Sequence, residues 1–143
     1  MNATAAASPS DTPGTASPVD APFVDPATAD AAPAEQRQAA LARAYDGCAA
    51  AAETCIRHCQ QQLATGDAAL ADCLRTALDA DAVAVAIGRL ARNRSAWAAV
   101  LAKQSLSILD ACVEACRPHR AAHPACRACF DACGKAIAAT RAA

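Results

Sequence analysis

The sequence contains very few aromatic residues and few glycines, which limits the folds that it can form. Among 143 residues there are 2 phenylalanines, 1 tyrosine, 1 tryptophan and 5 glycines. No stretch alternates apolar and polar residues over the length of a strand, whereas alanine, the strongest intrinsic helix former, is abundant. The sequence therefore predicts a single all-α domain with a narrow core that depends on a few larger side chains and on the cysteines.

The chain also lacks the features of nucleic-acid-binding, membrane-spanning and exported proteins. The net charge is −1 and no basic tract with interleaved aromatics occurs, so nucleic acid is not an expected partner. No apolar run reaches the roughly 20 residues that a membrane-spanning helix needs. Because the first basic residue is Arg37, the N-terminus shows neither a signal peptide nor a twin-arginine pair. We expect a cytoplasmic protein, or an exported one if a leader was removed.

The first 33 residues differ in composition from the rest of the chain. They consist mainly of Ala, Ser, Thr, Pro and Asp, and they hold six of the eight prolines. Such a segment buries too little apolar surface to offset the entropy of ordering it. We therefore predict a disordered, solubilising tail over 1–33 and a cysteine-lined domain over 34–143. A docking or targeting role for APFVDP (21–26) is the alternative for the tail.

Four helical segments are separated by short turns. Gly66 is expected to stop the first helix, and Asp67 and Ser95 to cap the second and third. Pro118 ends the third helix and Pro124 suits the first position of the fourth. Four helices joined by short turns predict an up-down-up-down antiparallel four-helix bundle. The predicted helices span residues of about 34–63, 67–92, 95–117 and 124–143.

In such a bundle, the cysteines and the larger apolar side chains lie at opposite poles. Most cysteines are expected where the first and third helices end, with Cys133 deeper and Cys48 about 20 Å up the first helix at ~1.5 Å per residue. Gly47, inside that helix, is interpreted as a point of close helix approach. The cysteines predicted at this pole are Cys55, Cys59, Cys73, Cys112, Cys116, Cys126 and Cys129. The opposite pole is predicted to hold an apolar plug of Leu41, Tyr45, Ile87, Leu90, Trp97, Leu101 and Ile137.

The cysteines follow helical spacing, most densely in ACVEACRPHRAAHPACRACFDAC (111–133). This stretch holds five of the nine cysteines and two of the three histidines. Steps of three and four return side chains to one face of a helix. In a reducing compartment, dense cysteines are more often metal ligands or redox-active groups than disulfides, and an odd number excludes complete intramolecular pairing.

Three kinds of metal site require different arrangements of cysteines. Structural zinc typically uses paired CxxC knuckles on loops, whereas the single CxxC here, Cys126–Cys129, lies within a helix. Iron–sulfur clusters usually use a loop wrapped around the cluster. A column of thiols in a bundle core favours several Cu(I) ions, because soft thiolates select a soft ion that accepts two or three sulfurs. A thiol redox or zinc-linked switch at Cys126–Cys129 or Cys112–Cys116, or a helical interaction module, remains the alternative.

Two stretches together resemble the cysteine-rich four-helix-bundle copper storage proteins. They are CAAAAETCIRHCQQQLATGDAALADC (48–73) and 111–133, and the specific points are the CxxHC step, the LATGD turn and the histidine-containing loop before a CxxCxxxC helix. The resemblance covers about 40–140 and implies storage or detoxification of several Cu(I) ions without catalysis. The copper ligands that it implies are Cys48, Cys55, Cys59, Cys73, Cys112, Cys116, Cys126, Cys129 and Cys133.

The chain departs from that family in carrying fewer thiols. Further cysteines would be expected where this sequence has Ala80, Val83 and Ala84, and again at Ala136 and Thr140. We therefore expect fewer ions, concentrated at one pole.

The histidines and the remaining charged residues add two expectations. His58, His119 and His123 are predicted near the sulfur-rich pole, either as a site of copper uptake or as polar surface residues, and His123 alternatively as a helix cap. No Ser/His/Asp set or carboxylate pair is placed on a cleft, so no enzymatic activity is expected. The expected partners are copper ions, a copper donor or acceptor protein, and a second copy of the chain as an open possibility; no membrane is among them.

Overall fold

The structure is a computed structural model that describes residues 32–143, and these residues form helices and no strands. Short 3₁₀ turns lie directly before α2 and after α4, at Ala68–Leu70 and Arg117–His119. The all-α prediction is confirmed, while the predicted tail and its APFVDP segment lie outside the described residues. The helices are α1 (Ala34–Ala64), α2 (Ala71–Arg92), α3 (Trp97–Gln104), α4 (Leu106–Cys116) and α5 (Pro124–Ala142).

Most helix ends lie where the turn residues predict them. α1 begins directly after Pro33, and its end is followed by Gly66 at a φ of 95°, a left-handed conformation that favours glycine. The Asp67 side chain accepts a hydrogen bond from the Ala69 backbone N–H at 3.1 Å, but it caps the 3₁₀ turn that precedes α2. Pro124 is the first residue of α5, as predicted.

The predicted third helix is divided at Ser105 into α3 and α4. The Ser105 hydroxyl donates a hydrogen bond to the Leu101 carbonyl at 2.8 Å, and the Ser105 backbone has φ −92° and ψ 1°. A serine that bonds back to the preceding turn competes with the helical pattern and often bends the helix. The prediction of one continuous helix up to Pro118 was therefore wrong. Ser95 was the predicted cap, and its hydroxyl accepts a hydrogen bond from the Trp97 N–H at 3.2 Å, although Ala96 occupies the N-cap position of α3.

The buried face of α3 differs by one residue from the predicted face. Ala98 and Ala102 are fully buried and continue the face of Ser105 and Leu109 backwards along the chain. Trp97 is 70% exposed, because neighbouring residues of a helix point about 100° apart. The placement of Trp97 in the apolar plug was therefore wrong.

The apolar plug at the pole away from most cysteines is otherwise present. Leu41, Tyr45, Ile87 and Ile137 are buried. Leu90 and Leu101 are partly buried against the same core. This half of the core therefore consists of ordinary aliphatic and aromatic side chains, as the sequence predicts.

The core is formed mainly by contacts between four pairs of helices. α1 packs against α2 and α5, and α4 packs against α5 and α2. Contacts of Tyr45 with Thr140 and of His58 with His123 show that α1 and α5 run in opposite directions. No helix among residues 32–143 is both long and apolar enough to span a membrane.

Gly88 of α2, rather than Gly47 of α1, lies against a side chain of the neighbouring helix. A Cβ atom added to Gly88 would lie 2.5 Å from the Asp46 carboxylate, which forms an ion pair with Arg92. A Cβ added to Gly47 would meet nothing within 4 Å. The interpretation of Gly47 as the point of close approach was therefore wrong.

Candidate metal centre

The nine cysteines all point into the core. Each is fully buried and none forms a disulfide. α1 contributes three, α2 one, α4 two and α5 three, all at the helical spacing that the sequence predicts. These are Cys48, Cys55 and Cys59, then Cys73, then Cys112 and Cys116, and finally Cys126, Cys129 and Cys133.

Four of these cysteines form a compact set, here called the outer group, from α1, α2 and α5. It consists of Cys55, Cys59, Cys73 and Cys126, whose sulfur atoms all lie within 4.8 Å of one another. The Sγ–Sγ distances are 3.8 Å for Cys55–Cys59, 3.6 Å for Cys55–Cys73 and 3.8 Å for Cys73–Cys126. Because Cys55 and Cys73 have two contacts each, the group is a cluster rather than a set of separate pairs.

Two further groups of three thiols continue from the outer group along the core. The middle group is Cys55, Cys116 and Cys129, and the inner group is Cys112, Cys129 and Cys133, each again within 4.8 Å. Cys55 and Cys129 each belong to two groups, so neighbouring groups share a ligand atom. The thiols therefore form one continuous column.

The deepest part of the column is the contact of Cys48 with Cys133. Their sulfur atoms are 3.5 Å apart, which joins α1 to α5. Both cysteines were predicted to lie deeper than the others, and this contact confirms it. With it, all nine cysteines belong to the column.

The closest thiol contacts are between helices. The shortest Sγ–Sγ distance, 3.2 Å, joins Cys73 to Cys116. Cys126 contacts Cys73 at 3.8 Å, and Cys129 contacts Cys112 at 3.6 Å. The pairs considered for a redox switch, Cys126–Cys129 and Cys112–Cys116, are thus not the nearest partners of their members.

A buried hydrogen bond lies directly beyond the inner end of the column. The Tyr45 hydroxyl and the Thr140 Oγ1 are 2.7 Å apart, and both residues are fully buried. Thr140 also donates to the Ala136 carbonyl at 2.8 Å, so its hydroxyl accepts from Tyr45. Thr140 is one position where the copper storage resemblance predicts a cysteine, and here it closes the column with a hydrogen bond.

The three histidines gather at the opposite end, near the outer group in sequence and in space. The His58 Nε2 and His123 Nδ1 atoms are 2.9 Å apart, and the rings of His119 and His123 are 6.2 Å apart. All three rings are partly buried. His123 occupies the N-cap position of α5, as the alternative predicts, but its side chain makes no capping hydrogen bond.

The sequence that forms this column matches a known protein family. The family model described as copper storage protein matches residues 34–143. The chain belongs to the copper storage protein family. No curated protein was found to match it. The match covers most of the chain, and it includes every cysteine and histidine of the column and of its outer end.

The thiols of this copper storage family member affect one another strongly because they are buried together. Interaction with the neighbouring Cys116 thiol lowers the pKa of Cys55 to about 4 and also lowers the pKa of Cys112. Burial raises the pKa of Cys59, and the charges of Cys55 and Cys73 raise it further. Thiolates in the column are therefore stabilised by protonated neighbours, and metal ions that enter replace shared protons.

Two arginines near the histidines have partners at the surface. Arg57 lies 3.6 Å from Glu53, and Arg117 lies 2.9 Å from Glu114. Arg117 also lies over the ring of Phe130, 5.1 Å from its centroid. These arginines are exposed, so they contribute mainly to the surface of this end of the protein.

Two features of the site escape sequence reasoning. The meeting of thiols from α1, α2 and α5 depends on how the helices are rotated against one another, and spacing within one helix does not reveal it. The Tyr45–Thr140 bond joins residues 95 positions apart in sequence. The sequence could have indicated that Thr140 is buried, because it lies seven residues beyond Cys133 and so on the same face of α5.

Proposed function

We propose that this member of the copper storage protein family binds several Cu(I) ions through its nine cysteine thiolates, for storage or detoxification. The observation that carries the proposal is the continuous column of nine buried, free thiols. Adjacent groups share Cys55 and Cys129, and bridging thiolates let several ions occupy neighbouring sites. We infer no catalytic role, since the column serves to hold ions.

The choice of Cu(I) rests on ligand type and ligand number. The middle and inner groups offer three thiols each, and the deepest contact offers two. Soft thiolates select soft ions, and Cu(I) accepts two or three sulfur ligands. All nine cysteines are therefore proposed ligands, including Cys48 and Cys73, which a switch confined to one pair would not use.

We further propose that residues 34–143 form one cysteine-lined domain with up-down-up-down four-helix topology. In this description α3 and α4 together form one arm, bent at Ser105. The opposite directions of α1 and α5 and the short connections between successive helices support it. α1 and α2 also run antiparallel, since Gln38 near the start of α1 contacts Ser95 beyond the end of α2.

We propose that copper enters at the end marked by His58, His119 and His123. Imidazole nitrogens are suitable transient ligands there, because Cys59 follows His58 directly and Cys126 follows His123 by three residues. A copper donor or acceptor protein would meet this end, and association of two copies of the chain stays open. Nine closely spaced free thiols also favour a reducing compartment such as the cytoplasm.

The test is an anaerobic Cu(I) titration of fully reduced, full-length protein against a competing chromophoric chelator. We expect tight uptake of several equivalents, abolished by prior alkylation of the thiols. Uptake of one equivalent or less would contradict storage.

Alanine variants of Cys48 and Cys73 connect the titration to the structure. Cys48 lies at the inner end of the column and Cys73 in the outer group, so each variant should bind fewer ions than the wild type. The matched control is Gly47→Ala, which changes an exposed neighbour of Cys48 and should keep the full stoichiometry. If both cysteine variants kept it too, the column would not be the binding site.

A further inference from the structure

The outer group differs from the rest of the column in offering four thiols. Zinc bound by four cysteines is tetrahedral with a Zn–S distance of about 2.3 Å, which places the sulfur atoms about 3.8 Å apart. The three contacts measured within the outer group are 3.6, 3.8 and 3.8 Å. Three of the six sulfur–sulfur distances thus match those of a zinc tetrathiolate, and the other three are no longer than 4.8 Å.

The chemistry of other ions fits this group less well. Tetrahedral four-sulfur coordination is typical of zinc and of iron–sulfur centres, whereas Cu(I) takes two or three sulfurs. An iron–sulfur cluster places inorganic sulfide and several iron atoms between its cysteines. Thiols that are already in contact with one another leave no room for such a cluster, but they do leave room for one ion at their centre.

The start of α5 also favours negative charge at this position. Cys126 is the third residue of α5, whereas Cys73 follows the 3₁₀ turn and two residues of α2 and so lies beyond the first turn of its helical run. The amino-terminal end of a helix carries partial positive charge that stabilises anions, including thiolates. The middle and inner groups lack the fourth thiol, so this combination of geometry and charge is specific to the outer group.

We propose that Cys55, Cys59, Cys73 and Cys126 form a site for a single Zn²⁺ ion. The ion would tie the end of α1 to the beginnings of α2 and α5. The zinc site is assembled from three helices, which is why a search for paired CxxC knuckles does not find it. These four thiols are also among the proposed Cu(I) ligands, so the two ions would compete for them and the zinc site is proposed for the copper-free protein. Each proposal is tested by its own titration, so either can fail without the other.

The experiment uses full-length, fully reduced protein, titrated anaerobically with Zn²⁺ and, in parallel, with Co²⁺ as a spectroscopic probe. We expect one tight equivalent of Zn²⁺, four sulfur neighbours at about 2.3 Å in X-ray absorption spectra, and the visible bands of tetrahedral Co²⁺. Two or more tight equivalents, mixed nitrogen and sulfur coordination, or no tight binding would overturn the proposal.

Matched variants locate the ion. Cys59→Ser removes a thiol that belongs to the outer group alone, and Cys133→Ser removes one that belongs to the inner group alone. The first should weaken Zn²⁺ binding at least about tenfold, the lower bound seen even for residues that only support ligands, and the second should not change it. Equal losses in both variants would refute the assignment.

Two control measurements separate loss of zinc binding from loss of folding and from the copper proposal. Circular dichroism establishes that each variant is folded, and Cys126→Ser replaces Cys59→Ser if the latter is not. A Cu(I) titration of the same wild-type preparation separates the two proposals: copper uptake without zinc uptake overturns the zinc site alone, and zinc uptake without copper uptake overturns storage alone.

Discussion

The hydrogen bond between Tyr45 and Thr140 provides a test of how the inner end of the column is held together. In Tyr45→Phe the donor is lost, but Thr140 still donates to the Ala136 carbonyl. Only one acceptor position is left without a partner, so the free energy of unfolding should fall by about 1 kcal/mol. For a domain of roughly 110 residues, the size of the described part of the chain, this corresponds to a decrease in Tm of roughly 4 °C.

Replacement of the other partner should cost more. In Thr140→Val the Tyr45 hydroxyl stays buried without an acceptor, and an unsatisfied buried donor costs about 1–3 kcal/mol. The double variant removes both groups, so its cost should be clearly smaller than the sum of the two single costs. Urea unfolding of the four proteins gives the coupling free energy directly.

The outcome that refutes this reasoning is additivity. If the two single costs simply add, the hydrogen bond does not contribute to stability. The Cu(I) stoichiometry serves as a functional control in the same variants. Because Tyr45 and Thr140 lie beyond the deepest thiols, Cys48 and Cys133, it should not change; a lower stoichiometry would mean that this pair takes part in binding.

Two further predictions concern the scaffold and its pH dependence. Gly47→Ala should raise the free energy of unfolding by about 0.5–1 kcal/mol, since nothing lies within 4 Å of the new Cβ. Gly88→Ala should gain less stability or lose some, because its Cβ displaces the Asp46 carboxylate. Thermal unfolding compares the two variants, and equal gains would contradict the contact between Gly88 and Asp46. Burial raises the pKa of Tyr45 above its usual value, so above pH 10 the unfolded state loses this proton before the folded state does. The free energy of unfolding of the wild type should therefore fall relative to that of Tyr45→Phe as the pH rises. Denaturant unfolding of both proteins at pH 8 and pH 11 measures this stability difference, and a difference that does not change with pH would contradict the burial of Tyr45.

Much of the fold follows from local properties of the sequence. Alanine-rich segments with turn residues between them predict the helices, and Pro33, Gly66 and Pro124 mark their ends because each restricts or permits particular backbone angles. The spacing of the cysteines likewise predicts their inward faces. These predictions succeed because they depend on the chain within a few residues.

The errors arose where local pattern and tertiary contact disagree. Trp97 was assigned to the core because it shares a helical face with Leu101 and Ser105, yet the buried face of α3 passes through Ala98 and Ala102 instead. Gly47 was assigned a close helix approach, but Gly88 is the glycine that lies against a side chain of the neighbouring helix. The periodicity of a sequence does not show whether a hydroxyl bonds back to its own helix. It also does not show how one helix is rotated against another.

The sequence by itself thus determined the helical class, the inward row of thiols on each helix and the resemblance to copper storage proteins, since helical periodicity and composition are local. Only the tertiary structure decided which thiols meet. It places four sulfur atoms from α1, α2 and α5 within 4.8 Å of one another and ends the column at the Tyr45–Thr140 bond. The reason is that ligand number depends on distances between helices, which the packed core sets and the spacing along any one helix does not.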